Sequence, residues 1–253
     1  MIFDRRRYGK DNYVYLLCEG DDAAFVDPGD PEVAMALAEA HGARPRFVLH
    51  THGHPDHTGG TAEVVAQLGA RVHGSAADAA WYPPDVDLAG RHELALGALR
   101  LSVHEVPGHT PGSVLYEWNG RLLTGDTLFW GGAGNCRHGG DPALLAGSFE
   151  SVIARLAGTL EVNPGHDYAE SNLPFALDLE PSNVAARAQL GAARAAHARG
   201  EEPAPTTLQE ERASNPFLRP AELIPILARR GVPCRDGSEA FLAIRRLKDV
   251  WRG

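Results

Sequence analysis

A mixed α/β domain followed by a small helical one is the fold class the sequence predicts, and three observations predict it. Short apolar strands arrive as hairpins among helical stretches, not in strict strand–helix alternation. The segment 51–60 (THGHPDHTGG) is dense in His and Asp and follows a strand, which is where α/β folds place their chemistry. After Tyr168 the composition becomes Ala-rich and helical, so residues 1–168 are read as the α/β domain and residues 169–253 as the helical one.

Taken in order, residues 12–18 (NYVYLLC) and 23–27 (AAFVD) are strands joined by the turn EGDD. Asp30 or Pro31 opens a helix that runs to about His41 and is ended by Gly42. Residues 46–49 (RFVL) form a buried strand that delivers the histidine loop. A helix over 61–68 ends at Gly69, and 71–74 is another short strand. Residues 75–97 carry Pro83, Pro84 and several charges and read as loop. Residues 99–106 alternate as a strand, 107–113 form a loop, and 114–118 and 121–124 pair across the turn Asn119–Gly120. A helix is expected over 149–156 and a last strand over 160–163. In the second part, Ser182 is the expected N-cap of a helix reaching Arg199, and 203–206 is a linker. Thr207 with Glu210 forms a capping box, and helices are expected over 221–230 and 238–251.

The formal net charge of -9 argues against nucleic-acid and anionic-membrane binding. No apolar run approaches the ~20 residues of a membrane span. Arg5–Arg7 is followed by no hydrophobic segment, so no signal peptide is read. Three scattered cysteines, Cys18, Cys136 and Cys234, fit a reducing cytoplasm better than a disulfide framework.

The chemistry concentrates in the His/Asp loop. His52 and His54 are two residues apart, so in an extended loop both rings project to one side and can grip one ion. Asp56 and His57 lie where the chain turns into the helix, better placed for a second ion beside the first. Three later residues stand at strand ends: His109 in VPGHTPGS, Asp126 in LLTGDTLF and His166 in VNPGHDY. Each alone reads as a turn or capping residue. Joined to the loop, they make five histidines and two aspartates, enough for two metal sites with a shared carboxylate. The other histidines read as structural or solvated: His41 at a helix C-terminus, His50 in a strand, and His73, His92, His104 and His197.

The segments DNYVYLL, VDPGDP, THGHPDHTGG, GHTPGS, TGDTLF, GHDY and NPFLR together resemble glyoxalase II, the hydroxyacylglutathione hydrolases of the metallo-β-lactamase-fold superfamily. The likeness runs nearly end to end. It implies an αββα sandwich followed by a helical domain that helps bind glutathione. It implies two divalent metal ions, zinc first, with iron or manganese also suiting the donors. By motif, His52, His54 and His109 would hold the first ion; Asp56, His57 and His166 would hold the second; and Asp126 would bridge them. Asp126, Asp56 and His54 are then the catalytic candidates. Tyr168, Arg245 and Lys248 would contact glutathione. In the last helix Ala240, Ile244, Leu247 and Trp251 make an apolar stripe that Arg245 and Lys248 flank. A solvated face with Arg245 paired to Asp249 is the plainer reading of those charges. The chain departs from the family in GGAGNCRHGGD, where Asn135 and Arg137 stand in place of a Lys and a Tyr that contact glutathione. Arg137 can still offer a cation, and Cys136 and His138 lie beside it.

The expected activity is dinuclear thioester hydrolysis. A metal-bridging hydroxide attacks S-(2-hydroxyacyl)glutathione, such as S-D-lactoylglutathione, and yields the hydroxy acid and glutathione. The leaving thiol has a pKa of ~8.5, so no separate general acid is required. Three alternatives stand beside it: a persulfide dioxygenase with mononuclear iron, a dinuclear hydrolase of another thioester, and a metal-binding protein without catalysis. Monomer and dimer both remain open.

Overall fold

The computed structural model describes residues 1–253 and contains two six-stranded sheets packed face to face between helices. The first sheet runs β1 (Ile2–Tyr8), β2 (Asn12–Glu19), β3 (Asp22–Val26), β4 (Phe47–Leu49), β5 (Arg71–Gly74) and β6 (Val86–Asp87). Between these lie α1 (Pro31–Ala40), the single turn α2 (Pro55–Thr58) and α3 (Thr61–Leu68). The second sheet contains β7 (Glu93–Leu96), β8 (Leu99–Glu105), β9 (Val114–Trp118), β10 (Arg121–Gly125), β13 (Glu161–Pro164) and β14 (Thr206–Thr207). Its spatial order is β14-β13-β10-β9-β8-β7. A small hairpin, β11 (Leu128–Phe129) with β12 (Gly132–Ala133), and α4 (Pro142–Ser151) precede β13. The chain finishes with α5 (Ala169–Leu179), α6 (Val184–Ala198), α7 (Leu208–Ser214), α8 (Ile224–Arg229) and α9 (Gly237–Val250).

The alternation of side chains along the strands divides the core. Along β2, Tyr13, Tyr15 and Leu17 face the second sheet, where they meet a cluster that includes Tyr116 and Trp118. Val14, Leu16 and Cys18 face the other way, onto Ala34, Leu37 and Ala38 of α1 and Val64 of α3. The inner cluster runs on without a break into Phe175, Phe217, Phe241 and Ile244 of the C-terminal helical region.

Several elements differ from the sequence reading. Residues 2–8, for which the sequence reading assigned no element, form an edge strand. Residues 75–97 contain β6 and β7, and β7 pairs residue by residue with β8. The helix expected over 149–156 starts instead at Pro142, where the Asp141 carboxylate accepts from the amides of Ala143 and Leu144. Only a 3₁₀ turn, Ile153–Arg155, follows it. The N-cap of α6 is Asn183, not Ser182, and α5 is an additional helix with Pro174 inside it. The capping box of Thr207 and Glu210 is present.

The topology brings the ends of β4, β8, β10 and β13 to one edge of the sandwich. Parallel pairing of β10 with β13 aligns Gly125 with Pro164, so Asp126 and His166 emerge side by side. The edge is tied across the sheets: Val114 N–H donates to the Thr51 carbonyl at 2.8 Å, and the Tyr116 hydroxyl donates to the His50 carbonyl at 2.7 Å.

Candidate metal centre

Four loops at that edge bring all seven expected donors together. The donor atoms of His52, His54 and His109 lie within 4.8 Å of one another, and so do those of Asp56, His57 and His166. Asp126 stands between the two groups. Its carboxylate lies 3.6 Å from His109 Nε2, 3.4 Å from His166 Nε2 and 3.3 Å from His57 Nε2. The histidines and Asp126 are buried, whereas the Asp56 side chain remains half exposed. Gly165 admits this crowding. A Cβ there would sit 2.5 Å from Asp126 Oδ1 and 2.6 Å from His57 Cε1.

The outer nitrogen of each ring fixes its tautomer. His57 Nδ1 faces Asp27 Oδ2 at 3.2 Å, and His166 Nδ1 faces Asp11 Oδ1 at 2.9 Å. His109 Nδ1 donates to the Asn135 carbonyl at 2.6 Å, and His54 Nε2 donates to the His138 carbonyl at 3.1 Å. Thr51 Oγ1 donates to Asp27 Oδ2 and accepts from His52 Nδ1. These assignments follow from the partners and leave every inner nitrogen as a lone pair. Two such pairs then face each other: His54 Nδ1 against His109 Nε2 at 3.0 Å, and His57 Nε2 against His166 Nε2 at 3.1 Å. His52 Nε2 and Asp126 Oδ1 are buried without any hydrogen bond. Converging lone pairs and orphaned acceptors of this kind call for cations, so the donor set fits two divalent ions.

Electrostatics give the same answer. Burial opposes charge on His57, but Asp126 and Asp27 outweigh it and push its pKa up to about 10. His166 is pushed up to about 11, with Asp126 and Asp56 again outweighing burial. Burial drives His52 well down and lowers His109. Burial works to raise Asp126, yet His166 and His57 hold it well below the carboxylate range. Without ions, protons on His57 and His166 take their place.

The substrate-side candidates are spread around this centre. Tyr168 stacks on His166 with ring centroids 4.7 Å apart and planes 10° from parallel. Lys248 Nζ donates to the Ser171 carbonyl at 2.5 Å, and burial pulls its pKa down to about 8. Arg245 is buried, so the solvated face of the plainer reading is absent, although its pairing with Asp249 is present. It is 5% exposed, donates to the carbonyls of Ala133 and Gly134 at 2.8 and 3.1 Å, and pairs with Asp249 at 2.9 Å. The Asn135 side chain accepts from the Arg137 amide, and Arg137 donates to the Asp249 carbonyl at 2.5 Å. The loop in which the chain departs from the family therefore supplies two of the carbonyls that orient the histidines.

Sequence reasoning missed the supporting carboxylates. Asp27 forms a third close group with His52 and His57, but its oxygens are occupied by the Thr51 amide and hydroxyl and by His57. It is a support for the rings. Asp78, fully buried, accepts from the amides of Gly53 and Gly112 and from the Thr110 hydroxyl, binding the loops of His52 and His109 together. Asp11 and Asp27 lie inside DNYVYLL and VDPGDP, the one signal that pointed to them.

Comparison with known proteins accords with this geometry. A family model described as "Metallo-beta-lactamase superfamily" matches residues 7–166, and one described as "Hydroxyacylglutathione hydrolase C-terminus" matches residues 167–251. The chain is 66% identical to the hydroxyacylglutathione hydrolase of Anaeromyxobacter dehalogenans (strain 2CP-C), over 98% of this chain and 99% of that protein. The crystal structure of ETHE1 from Myxococcus xanthus shares the fold, with a TM-score of 0.71 at 23% identity, covering 100% of this chain and 93% of that one. The crystal structure of TTHA1623 in a di-iron-bound form aligns with a TM-score of 0.64 at 26% identity, covering 85% of this chain and 100% of that one. With its paired sheets, its strand-end donor cluster and these matches, the chain belongs to the hydroxyacylglutathione hydrolases of the metallo-β-lactamase superfamily.

Proposed function

We propose that this protein is a dinuclear thioesterase that hydrolyses S-(2-hydroxyacyl)glutathione, such as S-D-lactoylglutathione, to the 2-hydroxy acid and glutathione. The observation that carries the reading is the near-full-length identity to a hydroxyacylglutathione hydrolase, in a chain whose seven buried or half-buried donors converge. His52, His54 and His109 would hold one ion, Asp56, His57 and His166 the other, and Asp126 would reach both. Two divalent ions there supply Lewis-acid polarisation of the thioester carbonyl and water that ionises near neutral pH. Zinc suits imidazole with carboxylate, and iron and manganese suit the same set; the di-iron form of TTHA1623 supports testing iron.

The chain's own residues do the rest. Asp27 and Asp11 aim the rings of His57 and His166. Asp126, whose Oδ1 has no hydrogen-bond partner, would set its carboxylate between the two donor groups. Tyr168, Lys248, Asn135 and Arg137 would contact the glutathionyl part. Arg245 would serve that contact through the backbone of residues 133–134. The thiolate leaves without an acid, its conjugate thiol having a pKa of ~8.5. The family models meet between residues 166 and 167, in support of a catalytic part over 1–168 and a substrate-binding helical part over 169–253. No helix is long and apolar enough to cross a membrane, and the three free cysteines favour the cytoplasm.

The test is hydrolysis by metal-assayed protein of S-D-lactoylglutathione and of the lactoyl thioester of a small uncharged thiol. Preference for the glutathione substrate is expected. His54→Ala and Asp126→Ala should each lower metal content and reduce kcat/KM on the order of a thousandfold. Full activity after metal removal would overturn the reading. Oxygen uptake on glutathione persulfide without thioester hydrolysis would replace it with the mononuclear-iron alternative.

A further inference from the structure

Trp81 is a large apolar side chain left 37% exposed, and it stands at the metal centre. The other exposed large apolar residues, Met1, Leu144, Val184 and Val250, lie at the N-terminus or on helices. The Trp81 ring meets His54 edge to face, with centroids 5.4 Å apart and an interplanar angle of 81°. It spans two loops that make room for it with glycine. A Cβ on Gly53 would come within 2.7 Å of its six-membered ring, and one on Gly139 within 3.1 Å of the ring's far end. The turn that carries it is fixed. The Trp81 amide donates to the Asp78 carbonyl at 3.0 Å, and the buried Asp78 carboxylate is bonded to Gly53, Thr110 and Gly112. An exposed indole held this firmly keeps unsatisfied apolar surface beside the reacting centre.

Trp81 and Tyr168 stand beside different donor groups of that centre. Tyr168 stacks on His166, a member of one donor group, and Trp81 abuts His54, a member of the other. A thioester carbonyl carries two substituents. If the thiol part lies toward Tyr168 and Lys248, the acyl part is directed toward His54 and Trp81.

We propose that Trp81 is the acyl-side specificity residue of this enzyme and forms an aromatic wall that favours 2-hydroxyacyl groups with an apolar or aromatic substituent. The proposal rests on the thioesterase reading above. The test compares S-D-lactoylglutathione with S-mandeloylglutathione as the aromatic probe, and repeats both acyl groups on a small uncharged thiol. In Trp81→Ala the mandeloyl-to-lactoyl ratio of kcat/KM should fall about tenfold, chiefly through KM, because roughly half an aromatic ring's burial is lost. Trp81→Phe should restore most of the ratio, and the fall should recur on the small thiol. Metal content is assayed in each variant, since Trp81 also packs against His54 and lies close to Gly139. Equal losses for both acyl groups, or a fall seen only with glutathione, would overturn the proposal and leave the thioesterase reading intact. Wild-type protein that hydrolyses neither substrate would remove the thioesterase reading, and this inference with it.

Discussion

Lone pairs held 3.0–3.1 Å apart, between His54 and His109 and between His57 and His166, repel unless a proton or a metal ion lies among them. This makes metal uptake pH-dependent. His57 and His166 are pushed up to about 10 and about 11, so at neutral pH the ion-free protein keeps protons that an incoming metal must displace. A raised pKa means that proton competition persists until pH passes the folded value. Apparent metal affinity should therefore rise steadily from pH 6 to pH 9. Titration calorimetry in buffers of different ionisation enthalpy should show about two protons released per pair of ions. Release near zero would mean that the rings are already unprotonated. At this scale the seven donors were legible because they sit in short motifs with ligand spacing. Asp11, Asp27 and Asp78 were not, because each acts across a tertiary contact that no local spacing encodes. Trp81 escaped for the same reason: its partners Gly53 and Gly139 are 28 and 58 residues away.

Helix α7 shows how the helical region shapes the centre without touching it. Glu211 is fully buried and accepts from the Gly131 amide and the Thr206 hydroxyl. Asn215, one turn on, donates to the carbonyls of Phe129 and Gly132. Together they pin the β11–β12 hairpin that follows Asp126. Burial pushes the Glu211 carboxyl from 4.5 up to about 7, against the hydrogen bonds that lower it. The acid form is thus favoured in the folded state. As pH rises from 4.5 to about 7 the unfolded chain sheds this proton first, and stability falls, by about 3 kcal/mol. Above pH 7 there is no further loss. Glu211→Gln should flatten the drop in melting temperature between pH 5 and pH 8; parallel declines in variant and wild type would clear Glu211 as the cause. Elements with a local stop or start signal were legible, such as α1 after Asp30 and α3 before Gly69. The start of α4 carries an equally local signal, an N-cap Asp141 followed by Pro142, seven residues before the expected start at 149. The edge strands β1 and β7 are set by their neighbours in the sheet, which short-range pattern does not reveal.

Across the whole molecule, the sequence separates two regions that the packing joins. The inner core passes from Tyr13 and Tyr116 to Phe175 and Phe241 without interruption. Heating should therefore give a single cooperative transition, followed by calorimetry with equal calorimetric and van't Hoff enthalpies. Removing residues 169–253 should give insoluble protein, not an independent catalytic half; a soluble, metal-binding fragment would show that the regions fold separately. The second sheet adds a consequence for biosynthesis. Its outer edge is β14, Thr206–Thr207, which pairs with β13. The ribosome delivers every metal donor by residue 166, yet that edge stays open until some forty residues later. In that interval the nascent chain carries its full set of donors on a sheet whose last strand offers bare amides and carbonyls to any neighbour. Chaperone demand should peak there, and chains arrested between residues 166 and 206 should pair with one another more readily than those released only slightly later.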